Sequence, residues 1–494
     1  MVALPDAVAQ LGVSGDDWEK TPPTVRVVML QQLEHLEKEV VALRAKLATL
    51  EEKLGQNSRN SSSPPSSDSG ATRQRRRRRK SKGRKRGGQP GHPRRERDLK
   101  PIEQVAHVEA VHPEQCEHCD RKFDRRDKVV GEPERHQVTE VPPTQPETNE
   151  WQMYARQCSD CDRVTRAKLP DGVPPGAFGP RVQALVAAST GGLHLSRRTT
   201  QDMMQNFCGV QISLGSISKI EKTATSALAA PVAEAKAYIE KQPVAHIDET
   251  GFWQQAKRAF LWVLSTPLVV VYMVHSRRAR EAAQALLAAF KGILVSDRYV
   301  VYANRSQRKR QVCWAHLMRA FQTMVERGGG SAKIGRRLLQ HTVLLFRWWH
   351  RVRDGTMARS TLRNNIGFLR LQVEAQLAKA TRCRHRKTAR TCAEILKVKN
   401  ALWTFARVEG VEPTNNEAER ALRTAVIWRK NSFGSQSERG SRFVERMLTV
   451  AGTLRKQRRN LLDYLVQVFV ANINHKPAPS ILPSDELIAQ AQAA

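Results

Sequence analysis

The stretch AHIDETGFW, residues 245–253, decides how the chain is read. Its apolar start predicts a strand, with Asp248 and Glu249 at the carboxyl end and Glu249 and Thr250 supporting the turn beyond. Runs of the same β-branched and aromatic texture follow: AFLWVLST at 259–266, LVVVYMVHS at 268–276, GILVSD at 292–297, and QVCWAH at 311–316 as one more. RRAREAAQALLAAF, residues 277–290, has helical periodicity. Three strands, a crossover helix and further strands make a mixed α/β sheet in which Asp248 and Asp297 each close a strand. Carboxylates placed there can converge on one spot.

Phosphodiester chemistry with two Mg²⁺ or Mn²⁺ ions needs a third carboxylate, because hard cations take oxygen ligands. PTNNEAERALRTAVIWRKNSFGS, residues 413–435, offers two. Thr414 and Glu417 have capping-box spacing, which assigns Glu417 to the helix start. Glu419 lies on a different face of the same helix and is the expected third ligand. Arg420 and Arg423, beside it, are placed to hold a DNA backbone.

Acidic residues are scarce in this chain of 494 residues: Lys plus Arg number 82 against 48 Asp plus Glu, a formal charge of +34. Such a bias predicts attraction to polyanions, nucleic acid first. From Arg73 to Lys100 there are 15 basic and 2 acidic residues, so the basic tail alone does not account for the charge. Its densest part holds Arg75, Arg76, Arg77, Arg78, Arg79, Lys80, Lys82, Arg84, Lys85 and Arg86, enough to neutralise several phosphates without reading sequence. The 40% hydrophobic content supports at least one ordinary core. No secretory signal and no apolar run of roughly 18 residues is visible, so a cytoplasmic protein without membrane spans is expected.

Met29, Leu33, Leu36, Val40, Leu43, Leu47, Leu50 and Leu54 alternate steps of four and three, an a/d seam. Glu39 with Arg44 and Lys46 with Glu51 are attractive g-to-e′ pairs in a parallel dimer. A stripe that only packed on its own globule would need neither the strict period nor the matched charges. After Gly55, QNSRNSSSPPSSDSG has nothing to bury and reads as a linker. CEHC (Cys116, Cys119) and CSDC (Cys158, Cys161) supply four thiolates for a structural Zn²⁺, with strands of a ribbon between them. LSRRTTQDMMQNF and SLGSISKIEKTATSAL flank Cys208-Gly209 and allow a helix-turn-helix, or equally a hairpin that simply packs.

HIDETGFW, the block SRRAREAAQALLAAFKGILVSDRYVVYA, CWAHLMRAF and TNNEAERALRTAVIWRKNSFGSQSERG together resemble the insertion-sequence-66 family of bacterial transposases. The zipper, GGQPGH and the paired C-x-x-C motifs stand in that family's order. The resemblance implies an RNase H-like fold and a DDE triad falling on Asp248, Asp297 and Glu419. It also implies small accessory transposition proteins. The family's C-x-x-H matches Cys313 and His316; the histidine contacts the scissile phosphate or is packed at a strand end. Asp297-Arg298 departs from the usual Asp-Gly, so Arg298 either binds phosphate or crowds the turn. Helical sequence from about 322 to 412, including Trp348 and Trp349, resembles the helical insertion of several DDE enzymes; the tryptophans are core or stack on a flipped base.

The expected organisation is a coiled-coil zipper at 25–56, a basic linker at 57–100, a Cys₄ zinc ribbon at 101–170 and a helical region at 171–240. An RNase H-like catalytic domain with its insertion follows at 241–475, then a tail at 476–494. The expected activity is cleavage and strand transfer at insertion-sequence ends, on double-stranded DNA, by a nucleoid-associated homo-oligomer. A DNA-binding regulator with a decayed nuclease fold is the alternative.

Overall fold

The computed structural model describes residues 5–493 apart from 10, 62–67, 69, 71–97 and 144. The basic run Arg75 to Arg86 therefore lies outside the described residues. Helix α1, Pro23–Leu54, starts with Pro at its first position and has no glycine or proline further in. Gly55 stands at its C-cap. Its seam is bare within one chain: Leu36, Leu43, Leu47 and Leu50 are each more than half exposed. Lys38 and Glu34 pair at 2.6 Å across one turn. Further on, strands β1 (Ala155–Gln157) and β2 (Val164–Arg166) form an antiparallel hairpin around CSDC, and a Gln115–Lys122 bridge frames CEHC.

Four helices then lead into the sheet: α2 (Pro180–Ala187), α3 (Arg197–Cys208), α4 (Leu214–Ala227) and α5 (Ala229–Glu240). Ser196 and Ser213 cap α3 and α4 by accepting from the Thr199 and Ser216 amides at 3.0 and 3.1 Å. Gly209 ends α3 at φ 65°, the left-handed cap that glycine favours. Both helices of the expected pair thus exist, and α4 buries Ile217, Ile220 and Ala224 in the same apolar core as the sheet.

The five-stranded sheet has the order β5-β4-β3-β6-β7, with β3 Val244–Gln254, β4 Lys257–Ser265, β5 Val270–His275, β6 Ile293–Ser296 and β7 Arg310–Val312. The first three strands are antiparallel, while β6 runs parallel to β3 and β7 parallel to β6. Leu261, Trp262 and Val263 of β4 are all fully buried, which is why this strand reads as a continuous apolar run.

Two boundaries differ from expectation. Asp248 does not close its strand, since β3 stays paired with β4 as far as Gln254 opposite Lys257. What stops at His246 is the parallel pairing with β6, so Glu249 and Thr250 lie in strand, and the turn falls at Gln255-Ala256. QVCWAH is likewise a strand only to Val312; helix α7, Trp314–Glu326, begins after Cys313 and carries His316 in its first turn.

The crossover helix α6 spans Arg280–Leu287. Helices α7, α8 (Gly329–Arg353), α9 (Arg359–Ala380) and α10 (Arg386–Lys397) build a second apolar core from Leu317, Phe321, Leu338, Leu369, Val373 and Ile395. Trp348 and Trp349 pack against this core, and Trp349 meets Phe405 edge-on at 5.8 Å. Packing against this core thus accounts for both rings.

Helices α11 (Asn416–Ser432), α12 (Glu438–Lys456) and α13 (Leu461–Ile473) complete the structure around the sheet. The edge strand β5 would leave alternate N–H groups unpaired, and α12 covers them. The Val270, Tyr272 and Val274 amides donate to Thr453, Thr449 and Glu445 at 3.1, 3.0 and 2.7 Å, three side chains four residues apart on one helix face. Among the described residues no helix is long and apolar enough to cross a membrane.

Candidate active site

Three neighbouring parallel strands deliver side chains to one end of the sheet. Asp248 lies two residues beyond the last β3–β6 pair, Asp297 follows β6 directly, and Cys313 follows β7. Helix α11 packs on β3 and brings Glu419 from its first turn. Burial raises the Asp248 carboxyl well above the ordinary carboxylate range, and the negative charges of Glu249, Asp297 and Glu419 push it the same way. The Glu249 amide, donating to Asp248 Oδ1 at 2.9 Å, only partly opposes them. The expected triad thus lies within Coulombic reach of Asp248, but among the described residues its oxygens do not come together as one ligand group.

Glu249 is buried and its oxygens are already in use. Arg278 donates to Oε1 at 2.8 and 2.6 Å, and the Tyr302 hydroxyl donates to Oε2 at 2.7 Å. Burial and Asp297 raise its pKa against these partners. Asp297 Oδ1 accepts the Tyr299 amide at 2.8 Å, and Arg310 donates to the Asp297 carbonyl at 2.7 Å, which fixes the end of β6. Arg298, with Asp297, His316 and Arg319, lines a cavity of about 460 Å³ that Glu52 of α1 and Gln56 just beyond it also border. Glu52 pairs with Arg327 at 3.1 Å there.

Glu419 Oε1 stands 3.6 Å from His316 Nδ1 and 3.5 Å from Arg319. The His316 Nδ1 atom is buried without a hydrogen-bond partner. Burial and Arg319 depress its pKa, keeping the imidazole neutral and able to donate a lone pair. Cys313, His316 and Glu419 form the one group of three or more potential ligands, among the described residues, whose ligand atoms lie within 4.8 Å of one another. Burial pushes the Cys313 thiol up to about 12. Its sulfur accepts the Asn415 amide at 3.2 Å.

Asn415 is fully buried and carries no weight in the sequence reading, yet it ties three elements together. Its amide group donates to the Ile247 carbonyl at 2.8 Å, its oxygen faces His246 Nδ1 at 3.3 Å, and its backbone N–H meets Cys313. The residue before α11 thus locks the Glu419 helix to β3 beside Asp248. Its partners lie more than 100 positions away in sequence, so no local pattern marks it.

The capping box expected from Thr414 and Glu417 does not form. Asn415 occupies the N-cap, and the Thr414 hydroxyl turns to Glu412 at 3.4 Å. Glu417 instead accepts from Ser265 at 3.2 Å, from Arg420 at 2.6 Å and from Lys456. Burial opposes its ionisation, but the Lys456 and Arg420 charges outweigh that and hold its pKa low. Arg420 is thereby committed to Glu417, while Arg423 is exposed and pairs with no carboxylate among the described residues.

Each cysteine pair folds into the same knuckle. In CEHC and CSDC the residue after the second cysteine, Asp120 or Asp162, adopts φ 54° or 57° and donates its amide to the first cysteine's carbonyl at 2.9 or 3.0 Å. Backbone N–H groups of His118 and Cys119 aim at the Cys116 sulfur and lower its pKa; those of Asp160 and Cys161 do so for Cys158. The structure does not bring the two knuckles together into one ligand group.

A helical N-terminal region followed by a mixed α/β sheet domain, with carboxylates gathered at one end of the sheet, is the build of a multidomain transposase. The Transposase IS66 family model matches residues 175–443, more than half the chain, and the chain belongs to that family. Residues 20–98 match a family of unknown function, DUF6444. Among curated relatives, the uncharacterized protein y4qI of Sinorhizobium fredii (strain NBRC 101917 / NGR234) is 28% identical over 45% of this chain and 46% of its own length. The uncharacterized protein y4hP of the same strain is 24% identical over 60% of each chain. The chain thus spans between about half and three fifths of these relatives.

Proposed function

We propose that the chain is a DDE transposase that cleaves insertion-sequence ends and joins the 3′-hydroxyls to target DNA. The observation that supports this reading is that β3, the end of β6 and α11 carry Asp248, Asp297 and Glu419 to the same end of the sheet, near enough for the last two charges to act on the buried Asp248. The strand order, three antiparallel strands followed by two parallel ones, agrees with the RNase H-like fold that the family resemblance implies.

The residues fit divalent cations on physical grounds. Burial, with repulsion from Glu249, Asp297 and Glu419 added, lifts the Asp248 carboxyl, and an unpartnered His316 Nδ1 faces Glu419, both of which positive charge relieves. Asp248, Asp297 and Glu419 would hold two Mg²⁺ or Mn²⁺ ions, which supply an activated water or 3′-hydroxyl and a stabilised leaving oxygen. Glu249, ion-paired with Arg278 and hydrogen-bonded by Tyr302, keeps β3 in place beside them. Arg298 and Arg319 line the adjoining cavity, where a DNA phosphate would meet positive charge.

Farther out, the arm from Arg75 to Arg86 supplies salt-dependent affinity for DNA, and the exposed α1 seam pairs two chains as a coiled coil. Each cysteine knuckle is half of a Cys₄ zinc site that closes when the two meet, completing a zinc ribbon. Accessory transposition proteins join the assembly.

The test is strand cleavage of duplexes carrying the ends of the parent element, with Mg²⁺ or Mn²⁺, comparing wild type with Asp248→Asn. Metal-dependent nicking by wild type alone supports the reading. Tight binding without nicking under any condition, accessory proteins included, replaces it with a DNA-binding regulator.

A further inference from the structure

Helix α11 carries more than Glu419 on its active-site face. Glu419, Arg423, Ile427 and Lys430 follow at helical spacing along one stripe, and the last three are exposed. Phe433 then stands at the C-cap in the left-handed region, φ 53° and ψ 22°, with 81% of its surface exposed. That position favours glycine or asparagine; a bulky aromatic there is strained, and exposing the ring adds a second cost.

Three further positive-φ residues gather at the same place. Gln255 and Ala256, at φ 51° and 57°, turn the β3–β4 hairpin, and Gly434 follows Phe433 at φ 98°. The hairpin tip and the 433–435 loop are zipped by Ser435 N–H to the Trp253 carbonyl and Gln255 N–H to the Ser435 carbonyl, both at 2.9 Å. Arg429 braces them from below by donating to the Gly251 carbonyl at 2.5 Å. A Cβ on Gly434 would collide with the Trp253 backbone, so the close approach requires glycine. The loop is thus rigidly held while its aromatic ring is left in water. Strain concentrated in this way marks a working surface.

The charge around the ring names the occupant. Between Glu419 and Glu438 the sequence has four cations and no acid. Lys257 and Arg258 are exposed on the zipped hairpin, and Arg423 and Lys430 pair with no carboxylate among the described residues. An aromatic platform at the end of a basic stripe fits a nucleic-acid strand, cations on phosphates and ring on a base.

The geometry points to Phe433 as a stacking platform for an unstacked base of the DNA flanking the cut, with Arg423 and Lys430 guiding the strand from Glu419 to it. This rests on the reading that Glu419 marks the cutting site. At 1.5 Å per residue the ring lies about 21 Å along α11 from Glu419, roughly six nucleotide steps of 3.4 Å.

The experiment uses full-length protein carrying Asp248→Asn, bound to duplexes with the parent element's ends, and maps permanganate oxidation of unstacked thymines. A hyper-reactive thymine about six steps from the scissile phosphate is expected. Phe433→Ala and Phe433→Gly, of which only the glycine also relieves the backbone, should reduce its reactivity at least fivefold with binding to the ends retained, and Phe433→Trp should restore it. Unchanged reactivity in both small variants overturns the proposal. So does a Phe433→Ala protein altered only in its sedimentation, which would assign the ring to contact between copies. Cleavage by the Asp248-bearing protein is read separately, so a platform without nicking refutes the cutting site alone.

Discussion

Two sets of candidate metal-ligand side chains stand in opposite surroundings. The knuckle cysteines are exposed apart from the half-buried Cys116, and backbone N–H groups lower the pKa of Cys116 and Cys158. The sheet carboxylates are recessed beneath helices, and burial, reinforced by neighbouring negative charge, drives Asp248 toward the neutral acid. One set is a local turn that any short peptide of that sequence can attempt. The other is assembled from residues up to 171 positions apart and is uncomfortable until positive charge arrives. On the proposed function the contrast separates a structural site, which would stabilise what surrounds it, from a chemical one, whose instability would be the reason it binds.

The largest effect that would break this contrast is on catalysis. Asp248→Asn should cost about 10³-fold or more in strand cleavage, the loss of several kcal/mol of charge stabilisation by metal. The same change should raise the stability of metal-free protein. A raised carboxyl pKa means that the folded state holds its proton longer, so stability falls as pH climbs past the unfolded value and stays reduced above the folded one. Melting with and without Mg²⁺ at pH 7 checks both: wild type gains from the ion, and the variant starts higher and gains little.

Next in size is Glu417→Gln, on the same helix but the other face. Removing one partner of the Glu417–Lys456–Arg420 cluster should cost about 3 kcal/mol, since an ammonium is left without its counter-charge. Cleavage per folded molecule should not change. A variant of normal stability that no longer cuts would reverse the assignment of the two glutamates.

His246 gives a smaller effect with a defined direction. Burial lowers its pKa to about 4. The unfolded chain takes a proton near pH 6.5 that the folded chain refuses, so this contribution is complete above 6.5 and drains away as pH falls toward 4. Between pH 7 and 5 it amounts to about 2 kcal/mol, and His246→Gln should flatten that part of a urea-midpoint profile. Equal acid sensitivity in both proteins would remove His246 as the source.

Smallest should be Cys158→Ser: zinc per chain falls from near one to near zero, with the melting of the sheet domain moved by less than about 1 kcal/mol. Coupled loss of the sheet's stability would show that the knuckles are not a separate structural site.

Legibility in the sequence followed the same division. The strands around AHIDETGFW and GILVSD were readable because β-branched and aromatic runs are local signals, as were the helix of α1 and the two cysteine turns. The length of β3 was not, because its second half depends on pairing with β4 after the β6 partner ends. Thr414 and Glu417 had the spacing of a cap, but Lys456, far along the chain, claims the carboxylate. Asn415 escaped notice for the same reason, its bonds running to Ile247 and Cys313. QVCWAH misled at its boundary because a buried strand and the apolar first turn of a helix share one composition.

The most direct measurement is metal-dependent nicking of element-end duplexes by Glu419→Gln and Glu417→Gln side by side, each corrected for its folded fraction. Loss of nicking in Glu419→Gln with retention in Glu417→Gln is the expected result. Retention in Glu419→Gln would contradict the account, because the carboxylate that α11 brings to Asp248 and Asp297 would then have no part in the chemistry.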